Sequence, residues 1–293
     1  IATARVELTE AGDSAAVGAL LASRLPREGL VHVVALSDGL GVNGDALVAG
    51  LTRALGPNVA LTGGLAADGP RFAQTTACLD APAPAQQVVA IGFYGDRLHV
   101  GCGSLGGWDP IGPERQITRA TGNVLYELDG EPALDLYKRY LGDQAAMLPS
   151  SGLLYPLMIR SDANASEEVV RTLLSVNEQE RSLTFAGDTP FGYRARLMSA
   201  NFERLVEGAS GAAQASALRC GQGIELALLV SCVGRRLVLK QRIEEEVEAV
   251  RHVIGGSAVM TGFYSYGEIS PGVKTGSCGL HNQTMTVTTF SER

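Results

Sequence analysis

The run Val31-His32-Val33-Val34-Ala35-Leu36-Ser37-Asp38-Gly39, then the spaced Leu47, Val48, Leu51 and Leu55, then Val59-Ala60-Leu61-Thr62-Gly63-Gly64, decides the fold class. An unbroken apolar run is the pattern of a strand buried on both faces. The four spaced residues form one helical stripe, which Gly56-Pro57 closes. Strand, helix and strand in this order make a right-handed crossover with parallel strands. Ser37-Asp38 and Thr62-Gly63-Gly64 are then expected as loops at the carboxyl ends of neighbouring strands, where open α/β sheets bind ligands.

The same order recurs downstream. An apolar strand over 224–230 ends in Ser231-Cys232. A helix follows with Ile243, Val247, Val250 and Ile254 on one stripe and Glu244, Glu245, Glu248 and Arg251 opposite. Gly255-Gly256 stops it, and a short strand over 258–260 leads into Thr261-Gly262. The second copy is five residues longer between its serine and its threonine. This duplication predicts a mixed α/β fold of two pseudo-repeated halves, 1–147 and 153–293, with mixed β-sheets flanked by helices and a boundary at 147–152.

Around these units the pattern predicts strands over 4–8, 72–79, 88–94, 98–102, 153–159, 169–176, 182–185 and 193–198. It predicts a glycine-rich loop over 103–112 around Trp108, and a hairpin from 116–119 and 123–128. Helices are expected after Asp13 or Ser14 to about Leu25, after Glu131-Pro132 to Gly142, and after Asn201, with Phe202, Leu205, Val206 and Ala209 inward.

The 293 residues carry a net charge of −7, with 45% hydrophobic and 19% charged residues. No basic cluster suits a nucleic-acid face, and no apolar run approaches a membrane span. Neither partner is expected. The opening Ile1-Ala2-Thr3-Ala4-Arg5 is no secretory signal and lacks Met, which reads as a fragment or a processed chain. Five scattered cysteines without a Cys-x-x-Cys pair point to a reducing, cytoplasmic location rather than disulfides or zinc.

Gly101-x-Gly103-x-x-Gly106 matches a dinucleotide fingerprint, but Gly107-Trp108-Asp109-Pro110 cannot open the helix that the pyrophosphate needs. Ser37 beside Asp38 invites a hydrolase reading, with half of the nucleophile-elbow pattern missing. The segment Thr261-Gly262-Phe263-Tyr264-Ser265-Tyr266-Gly267-Glu268-Ile269-Ser270 is richer and is expected as a strand-end loop. In an extended chain Tyr264, Tyr266 and Glu268 share one face. Two phenols and a carboxylate there either hold an ammonium group or are packed aromatics with satisfied hydroxyls. His281, opening the polar strand Asn282-Gln283-Thr284, is either a solvated edge or a ligand contact, by hydrogen bonding or as an axial haem ligand.

The Thr261–Ile269 run, with Leu280-His281-Asn282-Gln283-Thr284-Met285-Thr286, resembles the C-terminal half of the FIST sensory domain. Leu36-Ser37-Asp38-Gly39-Leu40, Thr62-Gly63-Gly64-Leu65-Ala66-Ala67-Asp68-Gly69, Gly106-Gly107-Trp108-Asp109-Pro110 and Asn123-Val124-Leu125-Tyr126-Glu127-Leu128-Asp129-Gly130 resemble its N-terminal half. The resemblance implies an intracellular, non-enzymatic signalling module of bacteria that binds a small ligand such as an amino acid and acts on an output domain or protein. One branch of the family comprises haem proteins that sense nitric oxide, which makes haem the alternative cofactor, with His281 as its ligand. The family's opening strand–helix–strand is expected to be missing. Carried over residue by residue, the ligand site is expected to include Ser37, Asp38, Gly63, Gly64, Tyr264, Tyr266, Glu268, His281, Asn282 and Gln283.

Overall fold

The computed structural model describes residues 1–80, 82, 86–162, 168–272 and 277–293. The first sheet begins with β1 (Ala2–Glu7), β2 (Leu30–Ser37), β3 (Ala60–Ala66), β4 (Gln87–Tyr94) and β5 (Leu98–Leu105). A second sheet follows, from β6 (Trp108–Thr121), β7 (Val124–Leu128), β8 (Glu131–Pro132), β9 (Leu157–Arg160), β10 (Val169–Arg171), β11 (Leu173–Asn177), β12 (Ser182–Phe185) and β13 (Arg194–Ala200). The first sheet is completed by β14 (Leu226–Cys232), β15 (Val259–Pro271), β16 (Cys278–His281) and β17 (Met285–Glu292). The helices are α1 (Ser14–Ser23), α2 (Gly44–Leu55), α3 (Ala133–Leu141), α4 (Phe202–Cys220), α5 (Val233–Leu239) and α6 (Ile243–Ile254).

The first sheet runs β1-β4-β2-β3-β15-β14-β17-β5, with β16 added to β15. Read from either end the order is the same in kind. β2 and β3 are parallel, as are β14 and β15; every other neighbouring pair on this path is antiparallel. The register repeats too. Ala35, Leu36 and Ser37 stand beside Gly63, Gly64 and Leu65, as Leu229, Val230 and Ser231 stand beside Gly262, Phe263 and Tyr264. The predicted duplication is therefore present as a pseudo-twofold pattern, and α5 takes up the extra residues of the second copy.

Where the copies meet, the expectation of two strand-end loops fails. Thr62-Gly63-Gly64 lies inside β3, and the Thr261–Ser270 run lies inside β15. The two stretches are each other's neighbours, with Gly63 opposite Ile269 and Gly64 opposite Glu268. Glycine serves close approach here. A Cβ on Gly63 would sit 1.8 Å from the Ala35 carbonyl oxygen at φ +142°, and one on Gly262 would sit 2.0 Å from that of Leu229.

β4 and β5 lie near opposite ends of this order yet are joined by only Gly95-Asp96-Arg97, so the sheet curls round on itself. Its convex face carries α1 and α2 over the first copy and α4 and α6 over the second. The second sheet runs β10-β9-β13-β6-β7-β12-β11, with β8 on β7, and packs its own core against α3. It meets the first core through Leu174 of β11 and Ala186 just after β12, with Leu153 of the 150–154 turn beside them.

Other expectations need correction. Residues 72–79 form no strand; here the Thr75 hydroxyl donates to Asp38 and the Ala77 carbonyl accepts the Gln87 side-chain amide. The glycine-rich loop shrinks to Gly106-Gly107, since β5 and β6 extend to Leu105 and from Trp108. Residues 150–154 are a 3₁₀ turn rather than strand. Phe202 is 42% exposed rather than inward. In α6 the inner face is turned: Glu246 and Val250 are buried while Val247 is 40% exposed.

Candidate functional site

The Tyr264–Glu268 run does not present one face. Between Ser265 and Gly267, β15 bulges against the single step from Ala66 to Leu65, and an extra residue in one strand breaks the alternation of side chains. Tyr264 donates its hydroxyl to Glu246 Oε1 at 2.9 Å. Tyr266 donates to Asp68 Oδ1 at 2.5 Å and Gly69 O at 2.6 Å, and its ring stacks on Phe72 at 4.8 Å. Glu268 instead meets Ser265, the residue expected on the opposite face, at 2.5 Å, and accepts from the Thr284 amide at 3.1 Å and hydroxyl at 2.9 Å. Burial pushes its carboxyl up to about 8, against those three hydrogen bonds. Burial also works to raise Asp68, but the Tyr266 hydroxyl and the Ala73 and Gln74 amides hold it down at about 2.

The remaining predicted residues are placed as follows. Ser37 and Asp38 are buried; Asp38 receives the Leu40 and Gly41 amides and the Thr75 hydroxyl and so fixes the turn after β2. Gly64 packs against Val230, where a Cβ would approach Cγ1 to 2.7 Å. Asn282 bridges the sheets, donating to the Tyr266 carbonyl at 3.0 Å and accepting the Thr172 amide at 3.3 Å. Gln283, at φ +63°, donates to the Leu153 carbonyl, and its Oε1 has no hydrogen bond among the described residues. Glu268, Asn282 and Gln283 thus gather where β14 and β3 both end against β15. Tyr264 stands apart with a different set of partners, while Ser37, Asp38, Gly63 and Gly64 belong to the first copy.

That different set was not legible as a site. Arg235 and Glu246 are both fully enclosed, with Nη2 2.9 Å and Nε 3.0 Å from Oε2. The other carboxylate oxygen accepts Ser231 Oγ at 3.0 Å and the Tyr264 hydroxyl. Arg235 also donates to the Gly106 and Leu205 carbonyls. Above this cluster lies a cavity of about 250 Å³, lined by Leu229, Met260, Phe263, Met285, Val247 and Gly262 together with Ser231, Tyr264 and Glu246. Both hydroxyls donate to Glu246, so their oxygens still have lone pairs for a hydrogen-bond donor. The Arg236 guanidinium lies over the Tyr264 ring, 5.2 Å from its centroid.

Among the described residues the first copy has no such cluster. Its Leu65 corresponds by register to Tyr264 and its Ser37 to Ser231. Aligned on their closing glycines, Gly56 and Gly255, α2 has Leu47 where α6 has Glu246. Leu47 and Leu65 are core residues, and the Ser37 hydroxyl has no hydrogen-bond partner. One copy keeps an apolar core where the other carries a carboxylate, a phenol and a cavity. That comparison of the copies, with Glu246 in phase with Val250, was the available sequence signal.

The same geometry bears on the two other chemistries. Nucleophilic catalysis by Ser37 needs a base within hydrogen-bond reach of its hydroxyl, which has none among the described residues. The His281 Nε2 lies 3.0 Å from the Ser270 carbonyl, inside the β15–β16 ladder, an arrangement that does not fit an axial haem ligand. Among the described residues no group of three or more His, Cys, Asp or Glu side chains is arranged to hold a metal ion, and no helix is long and apolar enough to cross a membrane.

Two halves built on one pseudo-twofold sheet frame the chain, and its sequence assigns the family. The FIST N domain matches residues 1–131 and the FIST C domain residues 133–271, so the chain belongs to the FIST family. The first match begins at residue 1 and lends no support to the expectation that the opening segment of that domain is missing. FIST domains are small-ligand sensory domains of signal transduction. The sequence matches no curated protein.

Proposed function

We propose that this chain senses an amino acid or similar small amine in the cavity between α6 and the β14–β15 pair. One observation carries the reading: a walled cavity whose polar floor, Tyr264 and Ser231, is held by a buried ion pair in one copy, while leucines fill the equivalent place in the other. The ligand's ammonium group donates to the two hydroxyl oxygens, its apolar part lies against Leu229, Met260 and Met285, and its carboxylate turns toward the Arg236 guanidinium that lies over the Tyr264 ring. About 250 Å³ is below the ~300 Å³ at which pockets for drug-sized ligands begin, which suits a molecule of amino-acid size. Glu268, Tyr266, His281, Asn282 and Gln283, with Gly63 and Gly64, lie at the joint between the copies, and Ser37 and Asp38 lie one strand away at the end of β2. There, a ligand that prefers one arrangement of β15 shifts the population between arrangements and so reaches an output domain or protein.

Calorimetry against a panel of amino acids and amines tests this. A binder is expected, weakened about tenfold by Tyr264→Phe, which removes one hydrogen bond. No binder in the panel, or one indifferent to both Tyr264→Phe and Ser231→Ala, overturns the reading.

A further inference from the structure

The curled sheet has an inner side that the Tyr264 cavity does not touch. On β2, Val33 and Ala35 face the helices, as do Met285 and Val287 on β17. Side chains alternate along a strand, so His32 on β2 and Thr286, Thr288 and Phe290 on β17 face inward. Contacts across the curl agree. The His32 ring lies 5.6 Å from Phe290 and 6.1 Å from Phe93, and its Nε2 is 2.9 Å from Thr62 Oγ1.

Among the described residues two polar atoms on this inner side find no hydrogen-bond partner: His32 Nδ1 and Thr288 Oγ1. Their residues are 0% and 1% exposed. A buried polar atom left unpaired costs about 1–3 kcal/mol, and such atoms in native proteins ordinarily meet a ligand or a water. The inner apolar residues are not sealed either, since Leu36, Ile91, Val100 and Leu228 remain only half-buried in mid-strand. At the end of the curl nearest His32 a separate cavity of about 400 Å³ is lined by Phe93, Tyr94, Leu98, Leu226 and Phe290. Arg97 and Glu292, at its rim, pair with each other.

We propose that the inner side of the curled sheet is a second ligand chamber, closed at the end nearest His32 by the Phe93 and Phe290 rings packed 5.1 Å apart, for an uncharged and largely apolar molecule that brings one hydroxyl or comparable polar group to His32 and Thr288. The walls decide the charge. Burial pushes His32 down to about 3, so it is neutral, and it pushes the Cys102 thiol beside Thr288 up to about 12, so that is neutral too. Among the described residues no charged side chain hydrogen-bonds to His32 or Thr288, the Arg219 guanidinium donating instead to the Cys102 carbonyl, and an ion would lose its hydration with little replacement. The packed Phe93 and Phe290 rings at that end favour a flat ring edge-on or stacked against them. The neutral imidazole can act as donor or acceptor at Nδ1 according to its tautomer, and a hydroxyl satisfies either.

Phenol is a suitable probe, having one ring, one hydroxyl and no charge at neutral pH. With ¹⁵N-histidine-labelled protein, phenol is expected to shift the His32 ring nitrogens saturably, and benzoate is not. Thr288→Val, nearly the same shape, is expected to weaken phenol about tenfold, and Tyr264→Phe to leave it unchanged. If Thr288→Val does not fold, His32→Phe, read by the fluorescence of Trp108 or by calorimetry, is expected to abolish phenol binding. Absence of any His32 shift, an affinity untouched by Thr288→Val or His32→Phe, or benzoate binding as tightly as phenol overturns the proposal. Loss of phenol binding in Tyr264→Phe overturns it as well, by moving the probe to the other cavity. Because the two cavities share no lining residue, either reading can fail while the other stands.

Discussion

Arg235 and Glu246 face each other at 2.9 Å with neither side chain exposed, one at the start of α5 and the other on the inner face of α6. Two charges taken wholly out of water depend on each other. Glu246→Gln strips Arg235 of its counter-charge and is expected to cost roughly 3–5 kcal/mol, whereas the double replacement Arg235→Met with Glu246→Leu recovers most of it. Urea unfolding of the three variants measures both. Equal losses in the single and double variants would contradict the argument.

A second buried arginine ties the two sheets together. Arg171 of β10 reaches Asp45 at 2.6 Å in the first turn of α2, and donates to the Leu280 carbonyl of β16 at 3.1 Å and to the Asp188 carbonyl at 3.0 Å. Asp45 also accepts the Asp188 amide at 2.6 Å. Asp45→Ala is expected to destabilise by roughly 3 kcal/mol. Hydrogen exchange should show protection lost first in β9 and β10, with β2 and β3 retaining theirs.

Glu268 gives stability a pH dependence of unusual sign. Its folded value, about 8, lies above the ordinary glutamate value of 4.5, so between those values the folded chain holds a proton that the unfolded chain has released. Its contribution is complete below about pH 4.5 and is lost as pH rises through about 8, a change on the order of a few kcal/mol. Glu268→Gln mimics the protonated form and should flatten that slope. Melting temperatures recorded across this window for both proteins decide it; parallel curves would rule Glu268 out as the cause.

Gly63 has the least tolerance for a side chain. An alanine in its place would need φ near +142° and a Cβ 1.8 Å from the Ala35 oxygen. Gly63→Ala is expected to destabilise by about 3 kcal/mol or more, while Gly279→Ala, with open space around it, should be nearly neutral on thermal unfolding.

The two crossovers, their helices and their parallel pairing were legible because apolar runs and glycine stops act locally. The seam was not. Period-2 parity put Tyr264, Tyr266 and Glu268 on one face, and a bulge set by the pairing of β15 with β3 undid that. Register between distant strands leaves no mark within either strand. Residues 72–79 are expected as a strand, yet Thr75 and Phe72 are claimed by Asp38 and Tyr266. Glu246 was passed over because a glutamate among glutamates reads as solvated surface, and only Arg235, eleven residues earlier in the chain, makes its burial tolerable. Of the expected site residues, most belong to the joint between copies, and one, Tyr264, lines the cavity.

The palindromic order of the first sheet also bears on how the chain is made. β3 acquires its outer neighbour only when β15 exists, and β5 acquires its neighbour only when β17 exists, nearly two hundred residues later. A ribosome delivers the first copy and the whole second sheet while two ladder edges still lack their partners. Unpaired edges of that kind invite pairing with another chain. Expression truncated after α4 should therefore yield an aggregating product, because both edges stay open until β15 and β17 are made.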